Sequence, residues 1–268
     1  MTLPPPTRPA RFRPRRDRRG LVLASCFALL STTAIAGEDE SAFGPDASPA
    51  VEGYRTQRVR GWTVHFSEAL LADQPEAVAK ALPLIDEQLA RVVRALPKEP
   101  LAAVRRVPVW LSPPYDGFRP TAEYHPNVDW LIRNGRRKEL ARSVELTNVG
   151  IFPREHERMP MLMLHEFAHA YHDQTLGFDD PRVIQAYDAA KRGGGYDAVE
   201  RGDGRVERAY AITNHKEYFA ESTEAYFGRN DFYPFDRDEL RRHDPRMHDL
   251  LVQLWSAETD DAEPADPR

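Results

Sequence analysis

His165-Glu166-Phe167-Ala168-His169 places two imidazoles four residues apart with a carboxylate between them. On a helix, positions four apart share a face, so both rings can reach one divalent ion while the glutamate points beside it without binding. That glutamate can take a proton from a water acidified by the ion, and such a water attacks a carbonyl, which is metal-assisted hydrolysis. Short two-histidine matches also arise by chance, so the flanking residues matter. Met161-Leu162-Met163-Leu164 before the motif, and Phe167, Ala168, Ala170 and Tyr171 within and after it, predict a largely buried helix. Histidine and glutamate without partners are costly there. A surface helix with hydrogen-bonded histidines is the competing reading.

A hydrolytic zinc site needs a third protein ligand and keeps one position open. A third histidine placed after a glycine is absent, because His169 is followed by Ala170-Tyr171-His172-Asp173. His172 lies seven residues after His165 and near the same face, yet it extends the same helix rather than closing around an ion. It is expected behind the ligands or in the cleft wall. The better source is the segment 215–224, where Glu217, Glu221 and Glu224 recur at helical spacing among Tyr218, Phe219, Tyr226 and Phe227. A solvated acidic stripe looks similar in isolation. Beside the two-histidine motif, at least one of these carboxylates is expected to bind the ion.

These side chains need elements to hold them. Residues 58–66 alternate like a strand, and 75–96 carry Leu82, Ile85, Leu89, Val92 and Val93 on one helical face, with Pro83 breaking or kinking that helix near its start. Further strands are expected at 104–111 and 144–149, and helices at 159–174, 182–192, 215–227, 236–242 and 246–255. Neither a repeat nor a linker interrupts residues 54–256. They predict one α+β domain, with a small mixed sheet packed on the motif helix and a mainly helical C-terminal part.

The chain has 268 residues, 41% hydrophobic and 10% aromatic, enough for a sizeable core. Seven arginines between Arg8 and Arg19, an apolar run over 21–30 and then Ala34-Ile35-Ala36 predict a signal peptide, residues 1–36, and a secreted or periplasmic protein. The apolar run is well short of the roughly 20 residues that span a bilayer, so no stable membrane insertion is expected. Leu23-Ala24-Ser25-Cys26 resembles a lipoprotein signal, but the apolar run continues past Cys26, which favours cleavage after Ala36. Residues 37–53 read as a flexible leader and 257–268 as an acidic tail.

Without residues 1–36 the chain keeps 30 basic and 41 acidic residues, a net charge of −11, which argues against a nucleic-acid partner. That balance is compatible with basic substrates, although net charge is a weak guide to a cleft. Cys26 is the only cysteine, so the mature domain must be stable without disulfides, and a bound metal can supply part of that stability.

Together, residues 165–169 and Tyr210-Ala211-Ile212-Thr213-Asn214-His215-Lys216-Glu217-Tyr218-Phe219-Ala220-Glu221 resemble the gluzincin zinc peptidases. The similarity is to the catalytic domain of the anthrax lethal factor type and to the Mlc titration factor A peptidase family. Those families carry a histidine motif, a tyrosine and an Asn-x-x-Glu-Phe-Phe-Ala-like helix. The resemblance covers about residues 144–228 and implies a zincin-like fold with one Zn2+ held by His165, His169 and Glu217. It further implies that Glu166 is the general base, that Tyr210 stabilises the oxyanion, and that Glu221 orients a ligand histidine.

A peptide or protein is the implied substrate. Residues 144–149 would form the edge strand over the cleft, where an extended peptide can add. Tyr124-His125-Pro126 and Asn230-Asp231-Phe232-Tyr233-Pro234-Phe235 look like motifs of secreted bacterial proteins with the same core; His125 reads as structural. A zinc-containing binding domain without turnover, and a zinc hydrolase of a non-peptide amide, are the alternatives.

Overall fold

In the computed structural model, which describes residues 43–45 and 50–256, β1 (Phe43–Pro45) pairs antiparallel with β2 (Tyr54–Val59). The expected signal peptide and acidic tail lie outside the described residues, as does most of the leader. Residues 58–66, expected as one strand, are instead arms of a hairpin: β2 turns through Arg60-Gly61 into β3 (Trp62–Ser67). Both turn residues have positive φ, 47° and 89°, the two-residue geometry whose twist matches the flanking strands. Alternation survives so short a turn, which is why the break is hidden in the pattern.

Beyond β3 come β4 (Val109–Leu111), β5 (Ala122–Tyr124) and β6 (Val144–Leu146), in the sheet order β1-β2-β3-β4-β6-β5. The contacts of β4 with β3 and β6 are parallel, and β5 is antiparallel to β6. The edge expected for residues 144–149 is therefore corrected. β6 is paired on both sides, and the edge belongs to β5, a three-residue strand too short to show a periodicity. The strand expected over 104–111 begins only at Val109, because α3 (Lys98–Val104) precedes it, after α1 (Glu68–Asp73) and α2 (Pro75–Ala95). Pro83 sits on the exposed side of α2, and the helix runs through it.

Side-chain alternation divides the sheet into two unlike faces. Val64, Val109, Val144 and Tyr124 lie in register on one face, beside the row Phe66, Leu111, Leu146 and Ala122. All are buried on the helical side, where Trp62 stacks on Phe167 at 5.1 Å. Phe167 belongs to the motif helix, which follows α4 (Val128–Arg133) and α5 (Phe152–Arg158) and is α6 (Leu162–Tyr171). No side chain of its own caps α6. Gln88 of α2, fully buried, does so instead: its Oε1 accepts the Met163 N–H at 3.2 Å and its Nε2 donates to the Met159 carbonyl at 2.9 Å.

The other face carries His65, Trp110, Glu145 and Glu123 in register. Trp110 packs on Leu131 and Leu140. Buried Glu145 accepts from the Tyr115 hydroxyl (2.8 Å), His125 Nε2 (2.9 Å) and Arg136 Nη1 (3.3 Å), and Arg136 also reaches Glu123 at 2.6 Å. The Arg136 guanidinium stacks on Tyr115 and Trp130, 4.6 and 4.9 Å from the ring centres. His125 thus belongs to a buried ionic cluster on the face away from α6.

The C-terminal part is helical, with α7 (Pro181–Gly193), α8 (His215–Phe227), α9 (Arg237–His243) and α10 (Pro245–Trp255), interrupted by the hairpin β7 (Val199–Glu200) and β8 (Val206–Glu207). The architecture is mixed α+β. Among the described residues no helix is long and apolar enough to cross a membrane.

Removing one member of a buried ion cluster leaves its partners uncompensated, at a cost of about 3 kcal/mol or more. Glu145→Leu is expected to lower unfolding free energy in urea by that amount, because Arg136 loses its buried acceptor. A loss below about 1 kcal/mol, the range of exposed pairs, would show that the cluster contributes no more than a surface bridge.

Candidate metal centre

Two helices supply the centre, and each has a local reason to start where it does. Asn214 caps α8: its Oδ1 accepts the Lys216 and Glu217 N–H groups at 2.9 and 3.1 Å, so Glu217 sits in the first turn. The 3-10 turn Tyr210–Thr213 leads into that cap. From Tyr218 to Tyr226 every residue of α8 is buried, including Glu221 and Glu224, at 1% and 0% exposure. That burial removes the solvated acidic stripe as an account of this helix.

Packing of α6 against α8 brings His165 Nε2, His169 Nε2 and Glu217 Oε2 into a triangle. The nitrogens are 3.1 Å apart, and Glu217 Oε2 is 3.2 Å from each. Buried Glu217 Oε2 has no hydrogen bond among the described residues, so it lies beside both rings without a directed donor. The three side chains can hold a metal ion. Burial pushes the Glu217 carboxyl up, but the two imidazoles outweigh it and hold it well below the usual carboxylate range.

The other ring nitrogen of His165 decides which carboxylate orients it. Nδ1 lies 2.7 Å from Glu224 Oε1 and 4.0 Å from Glu221 Oε1. Sequence reasoning placed Glu221 in that role; the structure gives the short contact to Glu224. Both acids lie on one face of α8, and only the crossing of the helices selects between them. Nδ1–H donating to Glu224 frees Nε2 as an acceptor for an ion. Burial, together with the charge of Glu224, raises the Glu221 carboxyl well above its ordinary value.

Glu166 turns from α6 toward the sheet edge. Its Oε2 accepts the backbone N–H of Tyr124 in β5 at 2.8 Å, an outward-facing edge donor that no strand takes. Burial raises the Glu166 carboxyl, and the neighbouring imidazoles act against it. Glu166, His165, Glu221 and Tyr210 line one cleft of about 800 Å3. Tyr210 is 47% exposed there, and burial and the Glu217 charge both raise its hydroxyl, which stays protonated.

His172 stands apart from the triangle. It opens the wide turn His172–Leu176 that continues α6, fully buried against Phe178 and Phe219 at ring distances of 5.2 and 4.8 Å. Neither ring nitrogen has a hydrogen-bond partner among the described residues, and burial pushes its pKa from 6.5 down to about 3. It lies two turns beyond His165, about 10 Å along the helix, where it continues the row outside the donor triangle.

Two outcomes are expected. Glu224→Gln should weaken metal binding by about ten- to a hundredfold in a chelator competition, and Glu221→Gln by less; equal losses would deny Glu224 its separate role. His172→Phe should leave metal content unchanged and raise stability by about 1 kcal/mol, because two unpaired buried nitrogens disappear. The neutral folded imidazole refuses a proton that the unfolded chain accepts below pH 6.5, so stability drains as pH falls toward 3. Urea unfolding at pH 7 and 5 should show a smaller difference in His172→Phe than in the parent. No family model, curated protein or solved structure matches the chain, and the assignment of this centre stands on its geometry.

Proposed function

We propose that the chain is a zinc-dependent peptidase of the gluzincin type, with zinc held by His165, His169 and Glu217. The observation that carries this is the donor triangle, with edges of 3.1 and 3.2 Å, whose His165 corner lines an open cleft beside Glu166. Nitrogen and oxygen ligands bind zinc at about 2.0–2.1 Å, and a tetrahedron of that size has edges of about 3.3 Å. Two imidazoles and one carboxylate also match the donor set of hydrolytic zinc, which keeps its fourth position for water. When bound there, zinc would acidify water and polarise the substrate carbonyl.

The chain's own groups do the rest. Glu166 holds Tyr124 N–H with Oε2, and its Oε1, with no described partner, takes the proton from the attacking water and returns it to the leaving amine. A raised carboxyl suits that exchange, because it moves the base toward neutral pH. Tyr210 stays protonated and donates its hydroxyl to the oxygen that gains charge. Thr121 and Ala122 bring the outer edge of β5 into the cleft, where an extended peptide can pair with backbone groups.

Zinc analysis paired with cleavage of a peptide library tests the proposal. Glu166→Gln should retain zinc and lose about a thousandfold in kcat. Glu217→Ala should lose zinc, and Tyr210→Phe should lower kcat by about a hundredfold with zinc retained. A zinc-loaded parent that cleaves no peptide would overturn the peptidase assignment. Turnover kept by Glu166→Gln would remove that residue from the reaction.

A further inference from the structure

Six arginines, Arg119, Arg154, Arg158, Arg201, Arg205 and Arg208, line the cleft with five carboxylates, Glu155, Glu207 and Asp231 in its walls and Glu166 and Glu221 beside the donor triangle. The whole chain has a net charge of −5, so this surplus is local and opposite in sign.

The arginines are built into place. Asp231, 5% exposed, accepts from Arg158 Nη1 at 2.8 Å and from Arg201 Nη2 at 3.4 Å, so one buried carboxylate holds two guanidiniums from separate elements. Arg158 is fixed further by Glu155 at 2.7 Å, and Arg201 by Glu207 at 3.0 Å and by stacking on Phe232 at 5.0 Å. Asn230 secures this segment: its Nδ2 donates to the Phe232 carbonyl at 2.9 Å and its Oδ1 accepts the Asp231 N–H at 3.0 Å. A role thus emerges for the Asn230–Phe232 stretch, which composition and spacing left unassigned.

On the rim, the side chains of Arg154 and Arg205 are 69% and 60% exposed, and each meets a carboxylate, Glu155 at 3.4 Å and Asp203 at 2.7 Å. Arg119, which leads into β5, makes no hydrogen bond or ion pair with another described residue. Paired arginines keep further N–H donors, in a fork that matches a carboxylate.

We infer that the cleft takes acidic peptide segments, with Asp or Glu side chains flanking the bond to be cut. The inference rests on the peptidase reading for the occupant of the cleft, and on the arginine walls for its charge. Fixed cations facing a groove select by charge and steer encounter, and their effect fades with salt. The selectivity runs opposite to what the chain's net charge suggests.

The test uses the full, zinc-loaded chain carrying Glu166→Gln, and fluorescein-labelled peptides that differ only in having Glu, Gln or Lys at the flanking positions. By anisotropy at low salt, the Glu peptide should bind about tenfold or more tighter than the Gln peptide, and the Lys peptide weakest, with the gap narrowing as salt rises. Arg154→Glu together with Arg205→Glu should abolish the gap and leave zinc content at the parent's level, since both side chains are exposed and neither belongs to the donor triangle. Equal binding of the Glu and Lys peptides, binding of none, or a gap that survives the reversal would overturn the inference. If the parent binds the Glu peptide as expected yet cleaves none of the three, the peptidase assignment alone falls.

Discussion

Packing of α6 on α8 buries more negative charge than the histidines alone can balance. Glu166, Glu221 and Glu224 are nearly inaccessible, Glu217 is largely so, and all four surround His165 and His169. Buried carboxylates need a partner, a proton or a cation. Three of them have distinct answers: Glu224 faces His165, Glu166 takes a strand-edge amide, and Glu221 is pushed toward holding its proton. Glu217 lies beside two nitrogens with no directed donor, and a shared ion suits that placement.

How much of this was visible in the sequence depends on how local each cause is. The pair His165 and His169 follows from helical spacing alone, and α8 spans the residues its pattern suggested, because Asn214 and the aromatic positions mark it. The choice between Glu221 and Glu224 was hidden. Either can meet an imidazole from the same helical face, and the crossing of two helices far apart in sequence decides. Strands β5, β7 and β8 were hidden too, since two or three residues show no period and their partners are distant. Net charge is a weak guide to the cleft for a related reason: it sums over a surface, whereas a cleft samples a few residues from α5, the β7–β8 hairpin and the approach to β5.

The edge strand joins the two halves of the sheet's chemistry. Tyr124 offers its outward N–H to Glu166 on the helical side, while its neighbours Glu123 and His125 enter the ionic cluster on the other side. The carboxylate in the cleft is therefore anchored to an element that is itself pinned from behind by Arg136 and Glu145. A displacement of β5 would move both at once.

The motif helix takes its N-terminal support from Gln88 on α2, and the third corner of the donor triangle comes from a helix some fifty residues further along. Neither is in place until most of the chain has folded around α6. An ion taking that place would therefore enter late, as a guest in a finished socket rather than as the seed around which the chain collapses.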